Sequence, residues 1–162
     1  MNALTREALQ ELLKNANIKP RIRRELRFAP EEITDWNERD FLAVTNRSQS
    51  EGVLIVPLNK LYVVSFRLKK RTPNRAGRVE AIICDFCATW QRGSNSAAIT
   101  FQKSSSTQTF LCCDDLLCSL HVRDKTPAAK LSRTQLRETN DVDGRVERLR
   151  MRLQEILTDL QD

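Results

Sequence analysis

An α+β fold is predicted for this chain by three observations. Four of its five cysteines stand in two close pairs, Cys84-Asp85-Phe86-Cys87 and Cys113-Asp114-Asp115-Leu116-Leu117-Cys118, with a hairpin-like stretch between them. Runs of β-branched and aromatic residues, Val53–Val56 and Leu61–Phe66, read as strands. A C-terminal stripe, Val142, Val146, Leu149, Leu153, Ile156 and Leu160, repeats at helical spacing. The 162 residues are enough for one ordinary domain with a core, and 40% apolar with 30% charged residues is a globular composition. A single domain over 1–162 is expected: a helical N-terminal extension (1–30), a β-rich region (31–140) holding the cysteine finger at 84–123, and a C-terminal helix (141–160).

Along the chain, Thr5 is a plausible cap for a helix over 5–16, in which Leu9, Leu12, Leu13 and Ala16 share a face. Pro20 ends or restarts that helix, and 21–28 reads as a second, basic one. Ala29-Pro30-Glu31-Glu32 resembles another helix start, leading to Trp36 and Phe41-Leu42 as core anchors. After a polar loop at 46–52, two strands flank the hairpin Pro57-Leu58-Asn59-Lys60. A basic loop is expected at 69–78, exposed by its Pro73-Asn74 and Gly77 turn residues. Strands at 97–102 and 108–112 follow, and the second cysteine pair is expected to open a helix through Leu116, Leu117, Leu120 and Val122. The stretch 124–140 reads as polar and basic, and Asp141 caps the last helix. Packing of that helix on the chain's own sheet is favoured over a coiled-coil dimer, because its stripe barely reaches three heptads; a monomer is expected.

Two vicinal thiol pairs suit one structural Zn2+, since each pair places two sulfurs on one ion and four thiolates close a tetrahedral shell. Such a shell leaves no open position for water or substrate, so the metal folds the protein and does not catalyse. The expected ligands are Cys84, Cys87, Cys113 and Cys118. Cys112 stays open as an alternative to Cys113, whose loop to Cys118 is shorter by one residue; His121, the only histidine, is a less favoured substitute ligand. Knuckle, hairpin and helix in this order match a treble-clef finger built on short antiparallel strands.

No apolar leader is present at the N-terminus and no run is long enough to span a membrane, so a reducing cytoplasm is expected, where paired cysteines read as metal ligands before disulfides. A thioredoxin-type dithiol would want a helix directly after Cys84-x-x-Cys87, where the sequence reads as a loop. One histidine and four glycines leave little for a histidine triad or a phosphate loop, so no enzyme is expected. The net charge of +6 points to an acidic partner. Lys60 to Arg78 holds seven basic residues and no acidic one, and Arg21, Arg23, Arg24 and Arg27 form a second basic cluster.

The stretches Trp36–Val44 and Val53–Pro57, the Cys84-Asp85-Phe86-Cys87 knuckle, and above all Phe110-Leu111-Cys112-Cys113-Asp114-Asp115-Leu116-Leu117-Cys118-Ser119-Leu120-His121-Val122-Arg123 resemble the C-terminal treble-clef zinc-finger domain of the elongation factor G-binding (FusB-type) proteins. The resemblance implies a zinc-stabilised adaptor that binds elongation factor G or a related translational GTPase at or near the ribosome, with its zinc on Cys84, Cys87, Cys113 and Cys118. On that reading Phe86 and Trp90 are expected as apolar anchors, surrounded by Lys69, Lys70, Arg71, Arg123 and Lys125. The alternative is an RNA- or ribosome-binding finger acting through the basic 60–78 segment, with ribosomal RNA as its target.

Overall fold

The structure, a computed structural model, describes residues 1–16 and 18–161. Its centre is a five-stranded antiparallel sheet with strand order β1-β2-β3-β6-β7, formed by β1 (Leu42–Thr45), β2 (Glu51–Pro57), β3 (Leu61–Lys70), β6 (Ser96–Gln102) and β7 (Thr107–Cys113). A separate ribbon pairs β4 (Ile82–Ile83) with β5 (Trp90–Gln91). Helices α1 (Arg6–Asn15) and α2 (Pro20–Glu25) precede the sheet; α3 (Cys118–His121), α4 (Pro127–Gln135) and α5 (Val142–Gln161) follow it.

The continuous apolar run Val53–Val56 is explained by burial on both sides, the pattern expected when a strand has layers above and below it. Val53 and Ile55, with Leu42 and Val44, meet Leu9 and Leu13 of α1, Ile22 of α2 and Ile18 from between them. Leu54 and Val56 face the other way, joining Phe66, Ile99, Phe101 and Phe110 under Val146, Leu149, Leu153 and Ile156 of α5. From Val146 to Leu160 the α5 stripe is therefore packed inside its own chain, while its first member, Val142, is left exposed together with Met151. Gly52 allows β1, β2 and β3 to close together, because a Cβ there would lie 2.4 Å from the Val44 carbonyl oxygen.

Local chemistry sets most element ends. The Ala8 N–H donates to the Thr5 hydroxyl, capping α1 as expected. Likewise the Gly144 N–H donates to Asp141 Oδ1 at the head of α5. Several expectations need correction. Helix α2 stops at Glu25, because Leu26 turns extended and bridges to Asn46 while the Arg27 N–H donates to the Thr45 carbonyl. Pro30–Glu32 makes one turn of 3-10 helix and no more. Strand β3 runs on through Lys69 and Lys70, so the exposed basic excursion begins at Arg71. The stretch 124–140 contains a true helix, α4, with Thr126 as a side-chain cap for Ala129 and Pro127 in its first turn. Finally, α3 begins only at Cys118: Asp115 accepts from the Leu117 N–H, a local turn that competes with helix over the preceding residues.

Asp40 ties the sheet to the finger. Its side chain is 2% exposed and accepts from Arg123 of the segment after α3 and from Arg150 of α5, while its own N–H donates to the Ser119 hydroxyl. Two guanidinium groups on one buried carboxylate make a connected network that fixes three elements at a single point.

Candidate metal centre

Cys84 leaves β4, Cys87 follows three residues later, Cys113 ends β7 and Cys118 opens α3. Their four Sγ atoms lie within 4.8 Å of one another and all four side chains are buried. Cys84 and Cys118 sulfurs are 3.8 Å apart, and those of Cys87 and Cys113 are 3.6 Å apart. A tetrahedron with ~2.3 Å zinc–sulfur bonds has edges of about 3.8 Å, whereas a disulfide would bring sulfurs to ~2.05 Å. The sulfurs are thus spaced as the ligands of one Zn2+.

The backbone around each pair is shaped for this. The Ala88 N–H donates to the Cys84 carbonyl and the Cys84 N–H to that of Thr89, closing the first knuckle; the Leu116 N–H donates to the Cys113 carbonyl in the second. Both knuckles require a left-handed residue, Ala88 at φ 54° and Leu116 at φ 55°, a conformation that costs a non-glycine residue about 1–2 kcal/mol. Asp85 staples the first knuckle to β7: its N–H donates to the Leu111 carbonyl, and its carboxylate accepts from the Leu111 N–H at 2.6 Å. Gln91, itself buried, donates its amide to Cys113 Sγ.

Charge follows the same geometry. Burial disfavours an ionised Cys87, yet hydrogen bonds from Cys113, Cys118, Cys84 and His121 hold it well below the usual thiol range. Cys118 is pushed well up by the neighbouring sulfurs, Cys113 first, and by burial. Four thiols in one buried shell compete to ionise, and a dication at their centre is what lets all four carry charge. His121 is buried beside this shell, with Nε2 3.3 Å from Asp115 Oδ2; burial opposes its charge, but Asp115 and Cys87 outweigh it and push the ring up to about 9. Cys112 points into the apolar core, wholly buried, and burial first among several causes pushes its thiol strongly up. It behaves there as a small apolar residue.

The residues expected to meet a partner fare unevenly. Phe86 is 3% exposed and packs edge-on against Phe110 and tilted against Phe41, so it belongs to the core and cannot serve as a surface anchor. Arg123 is spent on Asp40 and the Ser119 carbonyl, and Lys125 pairs with Glu38. Lys70 lies 3.5 Å from Asp114, and Arg71 donates to the Glu80 carbonyl. Lys69 is exposed on β3. Trp90 is half-buried, with its N–H donating to the Ser132 hydroxyl of α4.

An apolar contact residue not expected from the sequence is Ile83. It is 54% exposed and stands directly across the β4–β5 ribbon from Trp90, so the two side chains share the outer face of the ribbon. Their neighbours Ile82 and Gln91 are both buried on the inner face. The only signal in the sequence is alternation: Ile83 sits one position before a buried ligand. The chain on either side of this ribbon is closely apposed, since a Cβ on Gly93, just after β5, would fall 2.0 Å from the carbonyl oxygen of Val79, which precedes β4. The two aromatics of β3 turn to the core side, Phe66 fully buried and Tyr62 in part, with Lys60 over the Tyr62 ring.

Knuckle, β-hairpin and short ligand-bearing helix around four buried sulfurs define a treble-clef zinc-finger protein of the four-cysteine type, with one Zn2+ in a structural role. Residues 16–160 match the family model of the FBP C-terminal treble-clef zinc-finger, and the chain belongs to this FusB-type family, a family of binding proteins. No match was found among curated proteins or among solved structures. Among the described residues no helix is long and apolar enough to cross a membrane.

Proposed function

We propose that this protein is a zinc-stabilised, non-catalytic docking module for translation elongation factor G, working at or near the ribosome in the cytoplasm. Family membership supports the partner. The observation that carries the reading on this chain is the outer face of the β4–β5 ribbon, where Ile83 and Trp90 stand side by side with exposed Arg78 and Arg92 nearby in sequence. An isoleucine–tryptophan pair on an outer face suits an interface hot spot, and the net charge of +6 speeds encounter with an acidic face. The metal centre beneath holds that ribbon rigid and contributes no chemistry, because a four-thiolate shell has no open position.

The test is calorimetric titration of the zinc-loaded protein into purified elongation factor G, compared with Ile83→Asp. Ile83 is exposed, so the substitution leaves zinc content and melting temperature unchanged while weakening binding by about 30-fold, the scale of one hot-spot residue. Equal affinity in the variant sinks the proposed face; absence of heat with the wild-type protein sinks the partner.

A further inference from the structure

The second basic cluster of the sequence finds no use in the zinc finger, and the fold gives it a new member. Where α2 ends, Leu26 and Arg27 pair with the end of β1, which brings Arg24 and Arg27 together with Arg47 of the β1–β2 turn around one open groove. A second cleft shares Arg24 and Leu26 with the first and adds Lys14 and Arg23. Five cations thus line one continuous surface against a single carboxylate, Glu25, which already pairs with Arg21. None of the five forms an ion pair among the described residues, and the Nε of Arg23 is buried there without a hydrogen-bond partner. Outside the groove Arg39, Arg123, Arg145, Arg148, Arg150 and Arg152 are ion-paired, and the arginines that are not, such as Arg75, Arg78 and Arg92, do not line a common cleft with one another among the clefts described. Unopposed guanidinium groups converging on one groove face mutual repulsion that an anionic ligand relieves, and their planar forks match phosphate oxygens.

We infer that this groove binds the phosphate backbone of RNA, independently of the β4–β5 ribbon. A protein partner would need a large apolar anchor, and the exposed large apolar residues (Leu61, Ile83, Leu111, Val142 and Met151) all lie outside it. Asn46 and Ser48 add polar groups at the groove wall. The choice of RNA over DNA rests on the proposed docking of elongation factor G, whose place of work is the ribosome. One chain then offers two surfaces, one for the factor and one for the RNA around it.

The experiment is fluorescence anisotropy of a labelled single-stranded RNA of about 20 nucleotides, longer than a ~16-nucleotide footprint, titrated with the full zinc-loaded chain across a salt series. In the triple variant Arg24→Glu/Arg27→Glu/Arg47→Glu, affinity is expected to fall about tenfold or more. The slope of log K against log salt should drop by about 2, three contacts at ~0.7 each. A control variant with the same charge change at exposed sites outside the groove, unpaired among the described residues, Arg75→Glu/Lys130→Glu/Arg137→Glu, is expected to keep both, which separates the groove from net charge. Zinc content and circular dichroism check that each variant is folded. Loss of RNA binding with factor binding retained establishes the groove as a separate surface. Unchanged RNA affinity in the triple variant, equal loss in the control variant, or equal binding of poly-glutamate overturns the inference. Failure of the wild-type protein to bind elongation factor G while the groove still prefers RNA overturns the factor reading alone.

Discussion

The two sides of the central sheet are held in different ways. On the α5 side, a metal centre and buried ion pairs join distant parts of the chain: Cys84 to Cys118, Asp40 to Arg123 and Arg150, and Arg145 to Asp124 and the Val122 carbonyl. On the N-terminal side, α1 and α2 rest on β1 and β2 through apolar contacts; Arg6 and Arg21 make only exposed ion pairs, and Arg23 and Arg24 make none among the described residues. The same residue type therefore has opposite uses. Where the fold supplies a buried carboxylate, arginine is part of the structure; where it supplies none, as around Arg24, Arg27 and Arg47, arginine stays unpaired among the described residues.

The largest break in this comparison comes from the metal. Cys118→Ser removes a buried ligand, and structural zinc sites contribute about 10–16 kcal/mol in small fingers, so the variant is expected to lose zinc and the finger's ordered side-chain packing. Metal analysis and near-UV circular dichroism read this directly. Cys112→Ser, by contrast, keeps one zinc per chain and costs about 1–3 kcal/mol for a hydroxyl placed in the core. Acidification should release zinc as well, because protons compete for the thiolates; the sign is loss of metal as pH falls.

Next in size is Asp40→Ala, which leaves two arginines around an empty site and is expected to cost roughly 3–5 kcal/mol in urea denaturation, with zinc retained. Leu13→Ala on the opposite side should cost about 2–5 kcal/mol by cavity formation alone, without altering zinc affinity. If the Leu13 variant lost zinc, the two sides would be one cooperative unit and the contrast drawn between them would be wrong. Two effects should be small. Arg24→Ala is expected to stay within about 0.5 kcal/mol, since the side chain is exposed and unpaired. Ala88→Gly relieves a left-handed alanine at about 1–2 kcal/mol, against a glycine entropy cost of ~0.5–1, for a net gain of roughly 0.5–1 kcal/mol in a thermal melt.

Local spacing made much of this legible. The cysteine pairs, the strand runs around Pro57–Lys60, the Thr5 and Asp141 caps and the α5 stripe each depend on residues a few positions apart, and the fold uses them as read. Helix α4 was hidden by its polar composition, although Thr126-Pro127 is a helix-start signal; it covers β5 through only Ala129 and Ser132. Spacing does not place Phe86, because a finger aromatic between two ligands can face either way; here Phe41 and Phe110, beside the two edge strands of the sheet, close over it.

What the sequence determined by itself is the metal centre and the order of elements around it, because zinc ligation and hydrophobic periodicity are encoded over short separations. Tertiary structure alone decided which charges remain available. Arg123 meets Asp40 across 83 residues and is withdrawn from the surface, whereas Arg47 joins Arg24 and Arg27 only because the end of β1 pairs with the end of α2. A side chain's charge is set by its identity, but whether that charge is neutralised depends on which distant carboxylate the fold brings beside it.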